Sequence, residues 1–294
     1  MYWLHFVMVP SRFSIQIRLM MRCTMKKIIS VTQEHPMVAL ASDITYMQKS
    51  FWCGCSAYPL KLSFMRARHR YAFDPEHENY PCIVFVCGGA WEKVDRNVWM
   101  PNLAYYCQKG YAVASVDYSC LPVTVHPEQV TEIKTAIRFL RAHAAEFRID
   151  PERIAVMGES AGAYLAALTG LTGDEKEYRN AYYPEQSDAV RAVCTWYAPT
   201  DIHRMNTDMV HMQIRDFPVL PSLVKQSAPP FLMLHGAADS TVPSQQSEML
   251  YEALQNAKVE SNLILLEGAE HADYMFQQPS VKELVCDFMD RHLK

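Results

Sequence analysis

The stretch Asp150-Pro151-Glu152-Arg153-Ile154-Ala155-Val156-Met157-Gly158-Glu159-Ser160-Ala161-Gly162 decides the fold. Residues 154–157 are a short apolar run of buried-strand type, entered through an Asp-Pro turn and followed at once by a helical stretch through Leu168. Between strand and helix stands a G-x-S-x-G pattern. Its serine must occupy a turn so tight that the positions two residues away on either side have to be nearly free of side chain, which accounts for Gly158 and Gly162. Such a turn lifts the serine Oγ above the sheet. As a bare pattern the motif also fits a flexible turn; the strand before it and the helix after it point to a nucleophile.

Outward from this point the same alternation repeats. Residues 83–87 and 111–116 read as buried strands, separated by a helix over about 97–109 that ends at Gly110. A long helix is expected over about 127–147, with Val130, Ile133, Ile137, Leu140, Ala144 and Phe147 spaced three and four apart on one face. Later strands fall at 192–196, 231–234 and 263–266, with helices at about 244–257 and 280–292, and the alternation in 58–64 suggests antiparallel edge strands. The expected class is α/β: a mostly parallel central sheet with helices on both faces. Residues 37–294 are expected to form one domain after a poorly defined N-terminal extension, 1–36.

Composition narrows the function. Of 294 residues 28 are basic and 32 acidic, so no excess of charge favours a nucleic-acid or anionic-membrane partner. No apolar run reaches the length of a spanning helix, and the first nine residues lack the basic segment and cleavage site of a signal peptide, so a cytoplasmic protein is expected. The nine cysteines include no C-x-x-C pair, which argues for reduced, structural thiols; Cys53-Gly54-Cys55 is the one cluster, a two-thiol loop with a redox or metal role as the alternative.

A serine hydroxyl needs a histidine to take its proton and an acid to orient that histidine. Of eleven histidines, His271 follows the strand 263–266, on a loop where open α/β sheets place catalytic groups. The acid should lie between serine and histidine in chain order; Asp239, past the strand 231–234, is the choice, with Asp201, Glu267 and Glu270 as rivals. Backbone N–H groups must meet the developing oxyanion, and Gly88 and Gly89 after the first parallel strand, with Ala161 after the serine, are the expected donors. No G-x-G-x-x-G, phosphate loop or H-E-x-x-H is present, so neither cofactor nor metal is implied.

These residues resemble the α/β-hydrolase superfamily, and within it the small esterases of the hormone-sensitive-lipase and BD-FAE (acetyl- and feruloyl-esterase-like) branch. The resemblance covers about 57–294 and is carried by Val86-Cys87-Gly88-Gly89-Ala90-Trp91, Val116-Asp117-Tyr118, the 150–162 stretch, Leu234-His235-Gly236-Ala237-Ala238-Asp239-Ser240-Thr241-Val242-Pro243 and Gly268-Ala269-Glu270-His271. It departs at Cys87, where the family usually has histidine, so whatever that imidazole braces must be braced otherwise. The resemblance implies a serine carboxylesterase for short-chain or aryl-acyl esters, acetylated or feruloylated carbohydrates among them, with a small-molecule ester as partner and a homo-oligomer left open. It further implies that the segment at about 201–228, with Met205, Met209, His211 and Met212, lies near the substrate, core packing of the methionines being the alternative, and that Trp91, Trp99, Trp196 and Tyr197 lie in or near loops that border the site, with stacking on a sugar or phenolic ring and ordinary packing as the two readings. The alternatives are a peptidase of prolyl-peptidase type and a non-catalytic binding protein on the same fold.

Overall fold

The computed structural model describes residues 26–32, 34–51, 53–68, 79–124, 126–205 and 216–294. The chain divides into two compact units, residues 1–34 and 35–294. Residues 1–24 lie outside the described residues.

The eight strands of the second unit are β1 (Met37–Phe51), β2 (Ser56–Arg68), β3 (Tyr80–Val86), β4 (Ala112–Val116), β5 (Ile149–Glu159), β6 (Val193–Trp196), β7 (Phe231–Gly236) and β8 (Ser261–Leu266). They form one sheet in the order β1-β2-β4-β3-β5-β6-β7-β8, antiparallel at β1–β2–β4 and parallel from β4 onward. The helices are α1 (Met100–Gln108), α2 (Glu128–Ala142), α3 (Ala144–Phe147), α4 (Ala161–Thr172), α5 (Gln245–Asn256) and α6 (Pro279–Leu293). Alternate residues of β3 sort the layers: Val84 and Val86 belong to the core shared with α2, α4 and α5, while Ile83 and Phe85 belong to the core shared with α1 and α6. Both faces are covered, which is why the parallel strands read as continuous apolar runs. Among the described residues no helix is long and apolar enough to cross a membrane.

Three expectations change. The stretch 58–64 is not at the edge: β2 pairs with both β1 and β4, and β1 forms the border. The helix expected over 127–147 gives way at His143, whose backbone leaves helical geometry and whose ring lies 4.6 Å from Phe139. Phe147 still reaches the core through α3, 4.8 Å from Phe64, so the apolar spacing continues across the break. Finally, the Asp150-Pro151 turn is a bulge inside β5: its pairing with β3 jumps from Tyr80–Ile149 to Cys82–Ile154, and Asp150 accepts bonds from Glu152 N and Arg153 Nε at 2.9 and 2.8 Å.

The chain leaves β3 toward β4 on one side and later returns through β5 on the other. The carboxyl ends of β3 and β5 are therefore neighbours at the switch in strand order, Val86 opposite Gly158, where such sheets hold their ligands.

Candidate active site

Ser160 closes β5 and opens α4 with φ 52° and ψ −125°. The two glycines are required by contact: a Cβ on Gly158 would meet Gly162 O at 2.4 Å, and one on Gly162 would meet Val86 O at 2.1 Å. The elbow is tied to the next strand by Ser160 N donating to Trp196 O at 3.0 Å.

The loops after β7 and β8 bring their residues to this turn. Ser160 Oγ lies 3.0 Å from His271 Nε2, and His271 Nδ1 lies 2.8 Å from Asp239 Oδ2. Asp239 Oδ1 accepts the N–H groups of Thr241 and Val242 at 3.0 and 2.8 Å. Burial pushes this carboxyl up, but the hydrogen bonds from His235, His271 and Val242 outweigh it and hold it well below the usual carboxylate range. Two of the three rivals are engaged elsewhere: Asp201 pairs with Arg204 at 3.1 Å, and Glu270 accepts the N–H and hydroxyl of Ser240. Beside the serine is a pocket of about 440 Å³.

The β3–α1 loop departs from expectation. Gly88 N donates to Glu159 Oε1 at 2.5 Å, so this amide is occupied and unavailable to a substrate oxyanion. Gly89, Ala90 and Ala161 line the pocket. Ala161 is the first residue of α4, where an amide has no partner within the helix and the helix dipole favours negative charge. Glu159 is the brace that the sequence reading missed. It accepts Gly88 N and Trp99 Nε1 (3.2 Å), and burial together with its negative charge pushes the Tyr197 phenol up. Tyr118 donates to Cys87 O at 3.0 Å, and Cys87 Sγ donates to Asp95 O at 3.1 Å. Its signal in the sequence was a lone acid ending an apolar strand.

Of the aromatic residues expected at the rim, Trp91 lines the pocket, held edge-on between Tyr164 and Phe217 at 5.6 and 5.2 Å. The others are corrected. Trp99 is one layer back on Glu159, and Trp196 is buried against Phe276. Tyr197 is also buried, its ring edge-on to the His271 imidazole at 4.7 Å, where it backs the base instead of facing solvent. Met205 and Ile202 line the pocket, whereas Met209, His211 and Met212 lie outside the described residues. Among the described residues no group of His, Cys, Asp and Glu is placed to hold a metal ion.

Known proteins agree with this architecture. Esterase LipC of Mycobacterium tuberculosis is 32% identical over 212 residues, 65% of this chain and 52% of LipC. Esterase LipQ of the same organism is 30% identical over 236 residues, 71% of this chain and 55% of LipQ. The chain thus spans about half the length of these curated relatives. Among solved structures, a truncated carbohydrate esterase from gut microbiota superposes with a TM-score of 0.74 at 21% identity, covering 89% of this chain and 98% of that one, a likeness of fold. The α/β-hydrolase fold expected from the sequence is the fold observed. The BD-FAE family model matches residues 71–254, well over half of the chain, and the chain belongs to that family.

Proposed function

We propose that this chain is a serine carboxylesterase acting on short-chain or aryl-acyl esters, acetylated or feruloylated carbohydrates among them. The observation that carries the reading is the unbroken Ser160–His271–Asp239 chain, 3.0 and 2.8 Å, beside an apolar pocket of about 440 Å³. Relatives named as esterases, and a structural neighbour named as a carbohydrate esterase, support the ester as the bond broken.

Ser160 Oγ attacks the ester carbonyl carbon as His271 Nε2 takes its proton. Asp239 keeps the proton on Nδ1, so that Nε2 is free to accept, and stabilises the imidazolium. The tetrahedral oxyanion is held by the amides of Gly89, Ala90 and Ala161, replacing the set that included Gly88. His271 then protonates the departing alkoxide, leaving an acyl group on Ser160. Water, deprotonated by the same imidazole, releases the acid and restores the serine. Trp91, Leu121, Ile202, Met205 and Val242 supply apolar contact for a small acyl or aryl group.

The test is initial rate on p-nitrophenyl esters from acetate to palmitate. The rate should peak between acetate and butyrate, and Ser160→Ala should lower it by a factor on the order of 10⁵ with the fold intact by circular dichroism. Turnover retained by Ser160→Ala would remove the assignment.

A further inference from the structure

We propose that His235 is a positioning residue for the acid arm of the triad, fixing the Asp239 carboxylate and the pocket loop through a single ring N–H. The proposal rests on the esterase reading above for its kinetic consequence.

His235 stands near the end of β7 with no exposed surface, in a strand otherwise made of apolar residues. A buried imidazole is costly unless its nitrogens are satisfied, and here both are. Nε2 lies 2.8 Å from the carbonyl oxygen of Val242, and Nδ1 lies 2.7 Å from Ser247 Oγ on α5. A carbonyl only accepts, so Nε2 carries the hydrogen. The same nitrogen faces Asp239 Oδ2 at 3.4 Å. Oδ2 is therefore approached by two imidazoles, His271 Nδ1 at 2.8 Å and His235 Nε2 at 3.4 Å.

The geometry closes a loop. Asp239 Oδ1 holds the amides of Thr241 and Val242, and His235 holds the carbonyl of that same Val242. Both loop residues line the pocket beside Ser160. Without the Nε2 hydrogen the Val242 carbonyl loses its buried partner and the carboxylate loses a restraint on its rotation. His271 is oriented only as well as the carboxylate behind it, and a displacement of about 1 Å in such an array costs about a hundredfold in rate.

Three substitutions separate positioning from packing. In His235→Gln the side-chain amide reaches about as far as Nε2 and can donate to Val242; in His235→Asn it stops near Nδ1; in His235→Leu there is no donor. Two readouts are taken: the rate constant for labelling Ser160 with a fluorophosphonate, and kcat and KM on p-nitrophenyl acetate per labelled site. His235→Leu and His235→Asn should lose about ten- to a hundredfold in labelling rate and in kcat with KM little changed, whereas His235→Gln should recover to within a few-fold of wild type. Equal rates for Gln and Asn, or wild-type rates for Leu, would overturn the proposal. If Leu fails to fold, the Gln–Asn comparison decides. Wild-type protein that labels at Ser160 yet hydrolyses no ester would end the esterase reading while the labelling rates still judge His235; wild-type protein that does not label would end both.

Discussion

Five of the ten described non-glycine residues with positive φ stand at the site. Ala90, Trp91, Ser160, Tyr197 and Ala272 all have positive φ, between 42° and 59°, which non-glycine residues adopt at a cost of about 1–2 kcal/mol each. Tertiary hydrogen bonds hold three of them there: Ser160 N to Trp196 O, Tyr197 N to Leu234 O, and Leu121 N to Trp91 O, all between 2.8 and 3.0 Å. Asp239 offers a test at the same scale. Its folded pKa is depressed, so its contribution to stability is full above the unfolded value of about 4 and is lost as pH falls from there toward the folded value. Wild type should therefore lose more Tm than Asp239→Asn between about pH 6 and about pH 3, followed by circular dichroism. Parallel curves would mean that the hydrogen bonds on this carboxylate add nothing to folding.

At the scale of elements, the strand–elbow–helix unit depends on backbone contact between β3 and α4. Because a Cβ on Gly162 would press on Val86 O at 2.1 Å and Cys87 O at 2.5 Å, neither being a side chain able to swing aside, Gly162→Ala should destabilise by about 3 kcal/mol or more. Gly268→Ala makes the control: its φ is +73° but nothing lies within 4 Å, so only the backbone term of about 1–2 kcal/mol applies. Urea titrations of the two variants should rank them in that order, and equal losses would mean that α4 shifts to accommodate the methyl. Helix α2 shows what periodicity misses. Besides its apolar stripe it buries Lys134 and Arg138, which share Asp188 at 3.1 and 2.9 Å with none of the three exposed. Hydropathy assigns both cations to the solvent face because their partner lies 50 or more residues away.

Across the whole molecule the thiols divide by depth. Cys53 and Cys55 are exposed in the turn between β1 and β2, while Cys82, Cys87, Cys107 and Cys194 are buried, burial pushing the Cys107 thiol up to about 12. Iodoacetamide under native conditions should modify Cys53 and Cys55 well ahead of those four, as read by peptide mass spectrometry, with the rate of Ser160 labelling by a fluorophosphonate unchanged. Early modification of Cys87 would show that the oxyanion loop opens. The succession of strands and helices along the chain, and the choice of Ser160, His271 and Asp239 that the fold brings together, were legible in the sequence because each depends on local pattern: apolar runs, glycines flanking a serine, and an acid or histidine just past a strand. Gly89, Ala161 and Trp91 were legible for the same reason, as neighbours in chain of those motifs. What only the tertiary structure decided are the contacts between segments distant in the chain. The Gly88 amide is taken by Glu159, 71 residues on, and Tyr197 and Trp196 turn inward against His271 and Phe276. His235 is joined to Asp239 through a loop that closes on itself. An amide, an indole or an imidazole carries no mark of its partner in one-dimensional order, because its hydrogen bond is chosen only when the strands are side by side and water has been excluded.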